Sequence, residues 1–542
     1  MLTQVQTLLK LKKYFPLIIV LLGLLIYSNT FQSSFHFDDE FMLRSIPIFI
    51  ENKAWFSNPR AIGNLTFAFN YALHERNVFG YHLINLSIHL ATSVLVYFLS
   101  LLIFRTPAIK DKKIAKQKYW FSFFIALIFV AHPLQIQAVT YIVQRFSSLS
   151  ALFYIWGLWS YFKGRLDQRP SYYLWAIIAF LLGLFTKADG ATWPLAIVLS
   201  EGLFFPAKNL RSKILTKFLI PALLFFAPLL MVLKFFKKVI FAAQFSFLGE
   251  VVTSKTYFLT QMRVIPKYIQ LLFFPLNQNF DYYFPISKSF MEPAVWLGFC
   301  FLTMIIVVAI LLIKKQPLIS FGIIWFFITL IVTSSFIPIS DVIFEHRLYL
   351  PMMGFAFFLV IGVYKLLAHF ISDQSQRMNN FIFFMTAIVL FYGVLTYRRN
   401  LVWKNDLSLM TDVIQKSPLK ARGYNWLAIA LQKDGNLTAA KENYLQAIKL
   451  KSNYQDAYNN LANIYSYEGD LPNALKYYNL ALDLGRRINE IKLNIGLTYF
   501  NVKQYDVALQ YFNEVLEDDP KNMLAVKYIE MTQAKLAGSK ER

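Results

Sequence analysis

Three consecutive acids, Asp38, Asp39 and Glu40, stand in the motif FHFDDE, about ten residues past the first apolar run. A carboxylate at a water–membrane boundary can act as a general base, ligate a divalent metal or accept a hydrogen bond from a sugar hydroxyl. Other groups able to do chemistry recur along the chain: His132, Gln137 and Arg145, then Lys187 and Asp189 in KADG, Asp281 in NFDYYFP, and Glu345, His346 and Arg347 in FEHRLYLP. Carboxylates gathered with cations suit an anionic substrate whose leaving group is a phosphate and whose acceptor must lose a proton. Each residue also has a plainer role. The acids could cap the helix that follows them, and Glu345 with Arg347 could be a boundary ion pair of little worth. Lys187 and Asp189 could form a turn, Arg145 could snorkel, His132-Pro133 could end a helix, and Asp281 could sit in an interfacial aromatic belt. The functional case therefore rests on whether the fold brings these groups to one face.

The elements that must position them are apolar. The chain is 57% hydrophobic and 18% aromatic, with a mean hydropathy of +0.45, where a soluble domain is about 45–50% apolar. Runs long enough to cross a bilayer recur as far as residue 397. Spans are expected near 14–29, 80–104, 119–140, 148–163, 171–187, 189–206, 217–236, 293–313, 317–337, 350–370 and 380–397. The intervening segment 256–275 reads as re-entrant or interfacial, and residues 30–79 as a long first external loop with short helices along the membrane surface.

The net charge of +23 does not point to nucleic acid. Its lysines and arginines fall in alternate loops: Lys10, Lys12 and Lys13, then Arg105 to Lys118, then Lys163, Arg165 and Arg169, then Lys208, Arg211, Lys213 and Lys217. That is the positive-inside pattern, and no basic stripe with interleaved aromatics accompanies it. It places the N-terminus in the cytoplasm and the acidic motif, with Arg145, Lys187, Asp281 and Glu345 to Arg347, on the opposite face. The single cysteine, Cys300, lies in an apolar run, and no cysteine–histidine cluster suggests zinc. Asp38, Asp39 and Glu40 could ligate a divalent metal, but no full ligand set is visible.

Beyond residue 420 the pattern changes. Residues 421–454, 455–488 and 489–522 align at a period of 34, with Leu427, Leu461 and Ile495 in register. Ala440, Ala474 and Ala508 also match, as do Tyr444, Tyr478 and Phe512. Small and large apolar residues at these offsets let two antiparallel helices pack closely, which is the tetratricopeptide pattern. The expected organisation is a membrane domain over 1–400, a connecting helix over 401–420, three repeats over 421–522 and a capping helix and tail over 523–542. The fold class is all-α: a transmembrane bundle of about eleven spans plus a re-entrant helix, followed by an α-solenoid.

Across nearly its whole length the chain resembles the transmembrane and tetratricopeptide-repeat-containing protein O-mannosyltransferases of the GT-C fold. The resemblance is carried by FHFDDE, by GYHLINLSIHLATSVLVY (80–97), by VAHPLQIQAVTYIVQRFSSLSALFY (130–154), by LFTKADG (184–190), by FEHRLYLPMMGF (344–355) and by the repeats after the last span. It implies a glycosyltransferase that takes a sugar from a polyprenyl-phosphate carrier on the extracytoplasmic face and passes it to Ser/Thr hydroxyls of an acceptor protein. By that analogy Asp38 and Asp39 are the catalytic acids, and Arg145, Lys187 and Arg347 hold the carrier phosphate. Glu40, His132, Asp281, Glu345 and His346 support them. The plain repeats point to a bacterial inner membrane with an extracytoplasmic tail. Two rival expectations remain: a non-catalytic membrane-anchored scaffold whose repeats assemble a surface or secretion complex, and a lipid-linked-saccharide transporter, against which the absence of visible inverted repeats counts.

Overall fold

The computed structural model describes residues 12–51, 58–206, 245–247, 250–339 and 341–540. They form two compact units, one of residues up to 405 except 281–283, the other of 281–283 with 406–542. The expected span at 217–236 and the basic loop from Lys208 to Lys217 lie outside the described residues.

In the first unit the helices are α1 (Phe15–Ile26), α2 (Asp38–Glu51), α3 (Ala61–His74), α4 (Val78–Arg105), α5 (Lys118–Ala131), α6 (Arg145–Asp167), α7 (Ser171–Leu184), α8 (Trp193–Phe204), α9 (Ser254–Phe273), α10 (Pro293–Leu312), α11 (Pro317–Leu330), α12 (Pro351–Phe370) and α13 (Gln374–Leu401). The elements among the described residues are helices apart from two three-residue strands, Phe245–Phe247 and Glu250–Val252, paired antiparallel. Two helices, α2 and α3, occupy residues 30–79, the segment expected to be a long loop.

Five helical stretches among the described residues are long and apolar enough to cross a bilayer: Val78–Arg105, Lys113–Ala131, Pro293–Leu312, Pro351–Phe370 and Gln374–Leu401. The expected count of eleven is therefore not reached. Helices α7 and α11 are apolar but have 14 residues each, about 21 Å at 1.5 Å per residue against a hydrocarbon core of about 30 Å. Helices α1 and α8 are shorter still at 12 residues. Helix α9, in the ambiguous segment, has 20 residues but carries Lys255, Arg263 and Lys267. Hydropathy windows overran these elements because apolar loop residues continue the run after the helix has stopped.

Helices pack through small residues, as membrane bundles do. Gly322 of α11 and Gly354 of α12 meet so closely that a Cβ on Gly322 would lie 2.5 Å from the Gly354 carbonyl oxygen. Helices α4 and α6 run side by side in the same direction. Near their starts Arg145 is bonded to Asn85, and at their ends Arg105 pairs with Asp167 at 3.3 Å. The 23 residues of α6 therefore separate these two ends by about 34 Å. At the second end Arg165 also pairs with the fully buried Glu201 at 2.7 Å.

In the second unit α14 (Asp406–Lys416) precedes three helix pairs: α15 (Ala421–Lys433) with α16 (Leu437–Leu450), α17 (Gln455–Tyr467) with α18 (Leu471–Asp483), and α19 (Ile488–Asn501) with α20 (Tyr505–Asp518). Helix α21 (Met523–Lys540) follows. The matched residues Ala440, Tyr444, Ala474, Tyr478, Ala508 and Phe512 are all buried. Asn436 and Asp470 cap α16 and α18 by accepting backbone N–H groups of Ala439 and Asn473. The turn between paired helices needs a left-handed residue, supplied by Gly435 (φ +81) and Gly469 (φ +79) but by Lys503 (φ +63) in the third repeat.

Candidate functional site

Helix α2 starts at the acidic motif because three carboxylates in a first turn complement its unsatisfied N–H groups. The three side chains then diverge. Asp38 is exposed, and its backbone N–H donates to the Tyr141 hydroxyl at 3.1 Å. Asp39 is fully buried; one oxygen accepts the His36 N–H at 3.0 Å and the other the Val143 N–H at 2.7 Å. Burial pushes its carboxyl up to about 7, against the opposing pull of His36 and Val143. Glu40 pairs with Arg76 at 2.5 Å at the surface. Among the described residues no three His, Cys, Asp or Glu side chains converge on a metal position, so the trio does not act as one ligand set.

The irregular segment between α5 and α6, together with the first turn of α6, touches the other parts of the site in turn. The Gln137 side-chain oxygen accepts from His346, from its N–H at 2.7 Å and from Nδ1 at 3.1 Å. Tyr141 and Val143 hold the acidic motif as described. The Arg145 guanidinium donates to Asn85, Asn70, Thr66 and Tyr81 and stacks over Phe67 at 4.2 Å. Ser147 accepts from the Lys187 ammonium at 2.9 Å.

Lys187, largely buried in the turn between α7 and α8, also pairs with Asp189 at 2.9 Å. His346 and Arg347 lie in the short 3-10 turn Glu345–Leu348. Burial, followed by the charges of Lys187, Arg347 and Arg60, holds the His346 imidazole well below its usual range, so it is neutral. Three cations, Lys187, Arg347 and Arg60, thus act on one neutral imidazole. Arg347 donates to oxygens of Tyr257, Thr333, Val342 and Asp341. The Glu345 carboxylate accepts from the Gln278 side chain at 2.9 Å and the Asn279 N–H at 2.8 Å, anchoring that loop.

Three expected site residues are placed elsewhere. Arg145 is fully enclosed, with its fork spent on α3 and α4, so it braces the fold instead of snorkelling or facing a ligand. His132 ends α5, donating from Nε2 to the Leu272 carbonyl at 2.9 Å and accepting the Leu134 N–H on Nδ1. Asp281 belongs to the second unit, where it pairs with Arg422 at 2.7 Å and Lys420 at 2.9 Å. Burial pushes its carboxyl up, and Arg422 with Lys420 overcomes that and holds it at about 2.

Sequence reasoning missed Arg60 and Ser147. Arg60 precedes α3, whose Ile62 N–H donates to the Phe185 carbonyl beside the KADG turn, and its guanidinium lies 5.2 Å from the Phe146 ring centre. Nothing in SNPRAIG distinguishes it from a solvated arginine.

Among known proteins, the tetratricopeptide repeat model matches residues 421–454, 455–484 and 490–522. A protein O-mannosyl-transferase of Caenorhabditis elegans is 27% identical over 441 residues, covering 77% of this chain and 57% of that protein. The human protein O-mannosyl-transferase TMTC3 is 25% identical over 460 residues, covering 78% of this chain and 48% of its own. The chain spans about half the length of the curated relatives it matches. The solved APC/C hetero-tetramer Cut9–Hcn1 aligns at 14% identity with 91% of this chain and 89% of that one, at a TM-score of 0.24, which carries no argument. Over most of its own length this chain is thus similar to proteins named protein O-mannosyl-transferases, and its tail carries three tetratricopeptide repeats.

Proposed function

We propose that the chain is a membrane glycosyltransferase that moves a sugar from a polyprenyl-phosphate carrier to Ser/Thr hydroxyls of an acceptor protein. The observation that carries this reading is the division of labour around residues 132–147: an exposed carboxylate, Asp38, on one side, and the Lys187–His346–Arg347–Arg60 neighbourhood on the other. Asp38 takes the proton from the acceptor hydroxyl as its oxygen bonds to the anomeric carbon. The bond from that carbon to the carrier phosphate breaks, and the departing phosphate is stabilised by Lys187 and Arg60, with the enclosed Arg347, whose fork is bonded to protein oxygens, contributing only its charge. Asp39 positions Asp38 by pinning the first turn of α2. Neutral His346 donates its Nδ1–H to Gln137, which leaves Nε2 as an acceptor.

An apolar cavity of about 280 Å³ between α9, α10, α11 and α12, lined by Leu272, Phe273, Phe326, Phe355 and Phe358 among others, suits a prenyl chain. The orientation follows from α4 and α6: their basic ends face the cytoplasm, and the acidic motif faces away from it.

The test is Asp38→Asn in the full chain, with transferred glycan on extracytoplasmic proteins read by mass shift. Loss of a general base lowers the rate by about 10²–10⁴-fold. Unchanged glycan, together with loss of function on deletion of 421–542, would show the chain to be a scaffold.

A further inference from the structure

The acidic motif is held from the opposite end of its own unit. Four residues follow α13 before the unit ends, and two of them, Trp403 and Lys404, bond to His36 and Ser34. The Trp403 carbonyl accepts from His36 Nε2 at 2.8 Å, while the Lys404 carbonyl accepts the Ser34 N–H at 3.1 Å. The Trp403 indole, 2% exposed, packs edge-to-face on Phe280 with centroids 5.3 Å apart and lies 5.8 Å from Tyr141. Phe280 in turn meets Phe37 at 5.6 Å. A second chain of hydrogen bonds runs parallel to the first: Thr30 donates to Thr140, Thr140 to Asn400, and Asn400 to Asn29.

Between these supports Phe37 adopts a left-handed backbone, φ +47, which is unfavourable for any residue with a side chain. Such a conformation persists only where its surroundings over-determine it. Here the Phe37 ring is pinned by Phe280, the residue before it by Trp403 and Asp39, and the residue after it by Tyr141. The turn at Phe37 separates a buried His36 from an exposed Asp38 and so decides where that carboxylate points.

We infer that Trp403 is a positioning residue for the transfer reaction, fixing through His36, Phe280 and Tyr141 the turn that presents Asp38. This rests on the reading of Asp38 as the base. The same device makes the junction leading into the repeats part of the site's architecture.

The experiment compares Trp403→Ala, Trp403→Phe and Asp38→Asn in the purified full chain, using polyprenyl-phosphate mannose as donor probe and hydrogen exchange as a donor-independent readout. Misplacement of a reacting group by about 1 Å lowers kcat by about 10²-fold. Trp403→Ala is expected to show that loss with the donor KM unchanged, and faster exchange confined to residues 34–46 and 141–144. Trp403→Phe keeps a ring against Phe280 and recovers most of the rate. Wild-type kcat and exchange in Trp403→Ala, beside an inactive Asp38→Asn, would overturn the inference and leave the base assignment standing. An active Asp38→Asn would overturn the base assignment, and unchanged exchange in Trp403→Ala would then overturn the positioning role as well.

Discussion

Asp39→Asn isolates the clasp between α2 and the turn before α6. In the folded chain the Asp39 carboxyl titrates at about 7, against an ordinary value of 3.8. Between pH 5 and 7 the folded state therefore keeps a proton that the opened segment has already lost. With the unfolded side binding fewer protons, stability falls as pH rises, by about 1.4 kcal/mol per unit. Over those two units the loss is about 2.7 kcal/mol, and above pH 7 it levels off. Native-state hydrogen exchange at the Val143 and His36 amides, divided by the chemical exchange rate at each pH, should show protection falling about 100-fold across that window. Asparagine has no proton to lose, so its profile should be flat. Its amide also presents N–H to one of the two backbone donors, a constant cost of about 1–3 kcal/mol. A flat wild-type profile would refute the reasoning, because burial of a titrating carboxylate is what generates the slope. So would an equal slope in the variant.

Arg145→Lys should destabilise the first unit by about 2–4 kcal/mol, because a point charge cannot replace a fork bonded to four oxygens. Thermal unfolding in detergent checks this, and the donor KM of the folded fraction should not move. In the second unit the Asp281 carboxyl is held at about 2, so the stability it contributes is intact above pH 4 and about 2 kcal/mol is lost as the pH falls through 2. Asp281→Asn should abolish that acid dependence and, by leaving Lys420 at 3% exposure without its counter-charge, cost about 3–5 kcal/mol at neutral pH, read as faster exchange at the start of α15. Lys503→Gly should slow exchange in α19 and α20 by relieving a left-handed lysine, a gain of about 0.5–1 kcal/mol, whereas Gly469→Ala should cost about 1 kcal/mol.

What was legible depended on whether the information is local in sequence. The repeats were legible because each 34-residue unit restates the same offsets, and Ala440, Ala474 and Ala508 are buried where the period puts them. The long helices α4, α10, α12 and α13 were legible as unbroken apolar runs, and the shorter ones were overcounted because hydropathy does not register where a helix ends. The acidic motif stood out by composition, yet the sequence offered no way to separate its members. Asp38 and Asp39 differ in large part because Val143, 104 positions downstream, aims an amide at one of them. Arg145 read as a boundary cation because its partners, Asn70 and Asn85, lie 75 and 60 residues away.

The same logic explains why the segment between α5 and α6 carries so much. A regular helix spends its backbone N–H groups on itself, so it can offer only side chains to a neighbour. Where the helix breaks at His132-Pro133, those groups become available, and Val143 uses one to hold Asp39 while Tyr141 holds the neighbouring Asp38, and Gln137 and, in the first turn of α6, Ser147 reach two further elements. A break of this kind in a membrane bundle is tolerated only where protein, not lipid, surrounds it, and residues 132–142 are all buried. The requirement that hides this segment from lipid therefore also sets it at the centre of the candidate site, where one backbone conformation fixes the acid on one side and the cations on the other.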